Sequence, residues 1–293
     1  MKMDVNREYT ETKAMRLPAL PSVALAWPFL VLVGFFAVPF VLLIRTSFAN
    51  HDPGAYQGSG LTLSAYAGLA QPMVVDAIVF SIALAMTVAT ISTVVALPAT
   101  YIISRMGRKL QVTWLIGLLS TLALSEVLIT FAWQIMLSKR VGISNLLVLL
   151  GVMEQPVSLA PGYLGVVACI VYVVIPFSIL TIYPGMSRLD PSLVEAARMS
   201  GARPSRAFLE VVVPVLRKPL ASAFLMTVVL TLGAYVTPLV LGGPSNWTIG
   251  VIISETALSG QNLPMAAAIS VFLLIVTGAL IGLISLVGRE PRS

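Results

Sequence analysis

The stretch Asp190-Pro-Ser-Leu-Val-Glu-Ala-Ala-Arg-Met-Ser-Gly-Ala-Arg-Pro-Ser-Arg-Ala-Phe-Leu-Glu-Val-Val-Val-Pro214 decides how the rest of the chain is read. It is polar and lies between long uncharged runs. Asp190 suits a helix N-cap and Pro191 the first helical position. Leu193, Ala196, Ala197 and Ser200 follow at helical spacing. Gly201 stands where a helix closes in a left-handed turn. Pro204 suits the first turn of a second short helix, and Pro214, which lacks a backbone N–H, predicts its end. The pattern is helix, glycine turn, helix, stop. Ala196 and Ala197 beside Glu195 predict a low, close-packing surface with one acid at its edge, suited to docking another protein rather than to catalysis.

The composition around this stretch belongs in a bilayer. Of 293 residues, 58% are hydrophobic and only 10% charged, and mean hydropathy is +0.96. A soluble domain carries about 25% charge. The net charge of +6 does not imply nucleic acid, which needs a basic face on a soluble domain. Cys169 is the one cysteine and His51 the one histidine. That excludes metal-site and triad chemistry on ligand count, and Cys169 reads as a small buried hydrophobe. No cofactor is expected.

Uncharged runs predict six spans, since a bilayer core takes about 20 apolar helical residues. A polar tail at residues 1–16 precedes span one, Leu17–Ile44. That run is too long for the apolar core of a secretory signal. In the following loop, 45–76, Leu61–Tyr66 predicts a short interfacial helix. Span two is Ala77–Ser104, with Pro98 a possible kink. Span three is Gln111–Ser138, with Glu126 inside it. The loop Lys139–Glu154 predicts an interfacial helix at 143–152. Gln155–Ser187 holds span four, with bending expected at Pro176 and Pro184. Pro219–Ser254 holds span five, with a break at Leu241–Asn246. Thr256–Gly288 holds span six, starting near Pro264. A short tail, 289–293, closes the chain. The expected architecture is an all-α integral membrane protein with the first span and the start of the outer loop at 17–60 and a core at 61–288.

Six spans put both termini on one side, and lysine and arginine choose the side. Lys2, Arg7, Lys13, Arg16, Arg105, Arg108, Lys109, Arg289 and Arg292 fall with the 188–218 loop, leaving Arg45, Lys139 and Arg140 opposite. Positive loops stay cytoplasmic, so the termini and the Asp190–Pro214 stretch are expected in the cytoplasm.

The register Glu195-Ala196-Ala197, Gly201, Val211, Val213-Pro214 resembles the EAA loop of binding-protein-dependent ABC importer permeases. The family pattern ends Ile-x-Leu-Pro; valine at 211 and 213 is a conservative departure. An ordinary amphipathic loop is the bland alternative. Phe131-Ala-Trp133, Tyr172-Val-Val-Ile-Pro-Phe177, Leu189-Asp-Pro-Ser-Leu193 and Val236-Thr-Pro-Leu-Val-Leu-Gly-Gly-Pro244 extend the resemblance, from about Leu61 to Gly288, to spermidine/putrescine-type permeases. The resemblance implies a permease subunit of the bacterial plasma (inner) membrane, without catalytic residues of its own. Its implied partners are two cytoplasmic ATP-binding subunits, a second permease (a similar chain or a copy) and an extracytoplasmic solute-binding protein docking on 45–76, 139–161 and 242–263. Glu195, Ala196, Ala197 and Gly201 would couple to the ATPase, with Asp190, Pro191 and Pro214 setting helix boundaries. Arg198, Arg203 and Arg206 either pair with partner acids or are exposed charges that anchor the loop.

The residues themselves supply the reason a partner is needed. No Gly-x-x-x-x-Gly-Lys-Ser/Thr loop exists to cradle ATP. For the solute path, an intramembrane carboxylate such as Glu126 faces a cavity or partner rather than lipid. Thr130, Trp133 and Gln134 follow it at helical spacing. Thr227, Thr231 and Tyr235 make a matching line on span five. Both lines are candidates for the path; interhelical hydrogen bonding, with Trp133 an interface aromatic, is the alternative. An ion-driven secondary carrier is the rival function, which would bring broken helices and internal repeats. A membrane enzyme would need a polar cluster at one depth, and a scaffold would need no path.

Overall fold

In the computed structural model, residues 22–51, 60–140 and 142–287 are described, without the side chains of 22–26 and 284–287. The expectations for both tails, for residues 17–21 and for 52–59 of the first loop lie outside them. Among the described residues the regular secondary structure is helical, with one isolated bridge between Ala49 and Leu61.

Contacts divide the chain into residues 1–45 and 46–293. The first unit is dominated by α1 (Ser22–Ser47), which contains Pro28 and Pro39. At 26 residues it is about 39 Å long, enough to cross a bilayer with tilt.

The second unit opens with α2 (Ser64–Ala67), continued by a 3-10 turn to Ala70. A short helix thus stands near Tyr66, where one was expected. The Tyr66 hydroxyl lies 2.8 Å from Ser47 Oγ and its ring 5.2 Å from Phe48. The long helix α3 (Pro72–Arg105) follows. Then come α4 (Arg108–Leu122), α5 (Glu126–Met136), α6 (Ile143–Leu149) and α7 (Tyr163–Ser187). The elbow consists of α8 (Pro191–Met199), α9 (Pro204–Ala207), a π-helical turn (Phe208–Val212) and α10 (Val213–Val215). After it come α11 (Arg217–Leu232), a second π turn (Pro238–Gly242), α12 (Ile249–Leu258) and α13 (Leu263–Val287).

Among the described residues four helices, α1, α3, α7 and α13, are long and apolar enough to cross a membrane alone, and the bent pairs α4 with α5 and α9–α10 with α11 raise the number to at most six if each pair is one span. The expectation of six simple spans is corrected at two places, at the bend between α4 and α5 and at a break after α11. Span three is not one helix: α4 and α5 meet at 91° across Ala123–Ser125. Ser125 in an extended conformation followed by Glu126 in the first turn is a helix-start signal buried in an apolar run. Span five is α11, whose 16 residues reach about 24 Å, then a break at 233–235 and a helical segment to Gly242. Span four begins at Tyr163 rather than in the irregular 155–162 segment, and Pro98, Pro176 and Pro184 stay inside continuous helices.

The centre is the mutual packing of α3, α7 and α11. On α3 the buried positions Ala77, Ser81, Leu84, Ala85, Val88, Ala89, Ser92 and Ala96 recur at helical spacing, and most are small. Lipid offers no hydrophobic drive between spans, so close approach of small residues supplies the packing energy. Near the elbow, Leu97, Ile103, Ile182, Met186, Val194, Val212 and Leu216 form one cluster; towards the other end Leu84, Val88, Val166, Ile170, Val174 and Leu241 form another.

Gly185 marks a close crossing of α7 with the start of α11. A Cβ there would stand 2.6 Å from Pro219 Cγ and 3.3 Å from Leu216 Cδ2. Gly185→Ala is expected to cost about 1–3 kcal/mol by overpacking. The expected readout is a lower Tm of the purified chain, partly restored by adding Pro219→Ala. An unchanged Tm would show that the two helices separate freely.

Candidate functional site

The elbow is built as its sequence dictates. Asp190 caps α8: its carboxylate accepts the Ser192 backbone N–H at 2.9 Å. That hydrogen bond holds the Asp190 carboxyl below the usual carboxylate range. At the other end Gly201 has φ +91°. Its N–H bonds Arg198 O at 3.0 Å and the Ala202 N–H bonds Ala197 O at 3.1 Å. This is a Schellman closure, which satisfies two carbonyls that the helix end would otherwise orphan. Pro204 then starts α9.

Pro214 does not end the second helix, and here the expected boundary is corrected. The preceding turn widens to π geometry, with the Val213 N–H on Phe208 O. The wider turn carries the chain past a residue with no N–H to give. The helix runs to Val215 and α11 leaves at 76°.

Val194 is buried under the elbow, while Glu195, Ala196 and Arg198 are exposed and Ala197 is half-buried. Leu193 and Met199 are 46% and 89% exposed. Arg198 and Arg203 are exposed. Arg206 instead bonds Glu210 at 2.8 Å, one helical turn on, and that pairing raises its pKa further.

A second site lies where the broken spans meet. The carboxylate of Glu126, at the start of α5, accepts from Thr237 Oγ1 at 3.3 Å. Thr237 Oγ1 lies 2.9 Å from Thr130 Oγ1 and 3.9 Å from Cys169 Sγ. With its one proton given to Glu126, Thr237 accepts from Thr130. Thr130 and Thr237 are fully buried, whereas Glu126 is exposed at the rim. Glu126 lines a cavity of about 450 Å³ together with Thr121, Tyr172, Phe177, Leu230 and Ala234.

The two proposed lines of residues meet different fates. Of the span-three line, Glu126 reaches the cavity and Thr130 supports it. Trp133 packs its ring 6.0 Å from that of Tyr172, and Gln134 is exposed. The span-five line is interrupted. Thr227 is buried and spends its hydroxyl on Ser178 Oγ (3.0 Å) and Ala223 O (2.9 Å). Thr231 is buried with its hydroxyl unpartnered. Tyr235 is half-buried beyond the break at Gly233 and so leaves the helical line. The break has a chemical cause: Pro238 has no N–H for Ala234 O, and the Thr248 hydroxyl takes that carbonyl instead at 2.8 Å.

Thr237, Cys169, Tyr172 and Phe177 were not picked out as site residues by spacing. Thr237 is 107 positions from Thr130, beyond any helical periodicity, although it stands inside the Val236–Pro244 string.

Comparisons with known proteins bear on the family and the fold. The pattern of the family described as binding-protein-dependent transport system inner membrane component matches residues 19–288. The spermidine/putrescine transport system permease protein PotB of Salmonella typhimurium is 26% identical over 250 residues, covering 85% of this chain and 87% of that protein. The inner membrane ABC transporter permease protein YdcU of Escherichia coli is 27% identical over 242 residues, 78% of this chain and 76% of its own. Among solved structures, a chain of a bacterial ABC transporter involved in the import of the acidic polysaccharide alginate superposes with a TM-score of 0.72 at 15% identity, covering 93% of this chain and 96% of that one. With the family pattern covering nearly its whole length, the chain belongs to the binding-protein-dependent transport system inner membrane components, the permease subunits of ABC importers.

Proposed function

We propose that this permease admits a small organic cation, polyamine-like in character, through the cavity beside Glu126 by alternating access. The observation that carries the reading is a lone carboxylate at the rim of an aromatic-lined cavity, Tyr172 and Phe177 included. An ammonium group is stabilised by both the charge and the ring faces. The names of the PotB relatives point the same way.

In this reading the elbow lies in the cytoplasm of a bacterial inner-membrane protein. Two ATP-binding subunits each grip an elbow, one on this chain and one on a second permease. Glu195, Ala196, Ala197 and Gly201 form the grip, and Asp190, Pro191 and the π turn before Pro214 hold its shape. Closure of the ATPases drives the elbows together, and the spans carry that motion to the cavity. A solute-binding protein delivers the cation at loops 45–76, 139–161 and 242–263. The elbow's exposed Leu193 and Met199 support a covering partner on the cytoplasmic side, and the complex with a periplasmic protein described for a fold neighbour at TM-score 0.73 supports a delivering partner on the opposite side.

Purification of the intact complex from native membranes tests this. An ATP-binding subunit and a second permease should co-purify, and vesicles should take up radiolabelled spermidine with ATP. Uptake driven by an ion gradient without ATP, or a complex with no ATPase, would overturn the reading.

A further inference from the structure

Resting on the importer reading above, we propose that α3 carries the stroke from the elbow to the cavity wall, and that Tyr101 is the positioning residue at its input. At the elbow, Phe208 of the π turn meets the Tyr101 ring edge-on, with centroids 5.2 Å apart. The Arg105 guanidinium stands 5.2 Å from the centre of the same ring. The Tyr101 ring is thus held between the elbow and the end of its own helix. A π turn is a local widening of the helix that recurs at functional sites, and Phe208 opens it.

From Tyr101 to Ser81 α3 is one unbroken helix. α3 is 34 residues without a glycine, and Pro98 is its one proline after the first turn. Ser81 lies about 30 Å from Tyr101 along it, at 1.5 Å per residue. There the buried Ser81 hydroxyl donates to Ala77 O at 2.7 Å and accepts the Ile249 N–H at 2.8 Å. Ile249 opens α12, and its N-cap neighbour Thr248 holds Ala234 O at 2.8 Å. Ala234 lines the cavity. The contacts Phe208–Tyr101 and Ser81–Ile249–Thr248–Ala234 thus join the elbow to the break in span five through one helix. The fold has a covalent route too, through the bend into α11, so removing Tyr101 should uncouple rather than disassemble.

The test uses the complete complex, with its ATPases and binding protein, in vesicles. ATP hydrolysed and radiolabelled spermidine taken up are measured together. Tyr101→Leu should lower solute taken up per ATP about tenfold, while Tyr101→Phe, which keeps the ring, should match the unaltered protein. Phe208→Leu should give the same fall, and the double variant no further one. An unchanged ratio in Tyr101→Leu overturns the inference. So does a proportional loss of both activities, which marks a structural role, and so do additive effects in the double variant. Absence of ATP-dependent uptake in unaltered vesicles would instead sink the importer reading and this inference with it.

Discussion

Gly201→Val should abolish solute uptake while the chain still inserts and keeps its spans. The reason is conformational rather than steric. A Cβ at Gly201 would meet nothing within 4 Å, yet φ is +91°. For an L-residue such a backbone costs about 1–2 kcal/mol, and more for a β-branched side chain. The chain escapes that cost by opening the Schellman turn. The bonds from Gly201 to Arg198 and from Ala202 to Ala197 are then lost together. Ala197 would leave the surface that Val194 anchors from below. Because the turn sets the angle between α8 and α9, the whole grip is misplaced, not one contact. A graded series separates this cause from crowding. Gly201→Asn should keep the most uptake, since asparagine tolerates positive φ, Gly201→Ala less and Gly201→Val least. ATPase co-purification should follow the same order. Equal uptake across the series would mean that the turn does not position the docking surface.

How much of this was legible in the sequence differs from one element to the next. Local rules wrote the elbow: Asp190, Pro191, Gly201 and Pro204 each act within a few residues, and each stands where capping and turn chemistry put it. Pro214 misled because a rule about α-helices does not cover a turn that widens. The spans were legible as apolar runs, but their breaks were not. Ser125-Glu126 and Gly233 with Pro238 are ordinary punctuation, outweighed by the hydropathy around them. The site needed tertiary contacts. Thr130 and Thr237 meet only because the two breaks face one another, and Thr227 was spent on Ser178 across a helix crossing that no periodicity reveals. Those breaks alone would have favoured an ion-driven carrier, a class that uses interrupted helices at its binding sites. The family match over residues 19–288 decides against that reading, so broken spans are a device shared by different engines.

Glu126→Gln should raise the KM for a cationic solute about tenfold or more, leaving the amount of assembled complex unchanged. Glutamine keeps the shape and an oxygen to accept the Thr237 hydroxyl, so the bond at 3.3 Å and the buried Thr130–Thr237 pair survive. What goes is the charge. A hydrogen bond to a charged group contributes about 1.5–3 kcal/mol, which is roughly ten- to a hundredfold in affinity. Glu126→Ala removes the acceptor as well and forces the Thr130–Thr237 hydroxyl pair to rearrange its protons, so it should also lower complex stability. The difference between the two variants isolates charge from packing. The sign of the effect reports the solute: lost uptake marks a cation, whereas an anion would enter more readily once the carboxylate is gone. Thr237→Val is the control for position, since it frees Glu126 to swing while keeping its charge, and should change KM less than Glu126→Gln does. Uptake kinetics of Glu126→Gln indistinguishable from the unaltered permease would place the path elsewhere and leave the cavity as a packing fault between two bent spans.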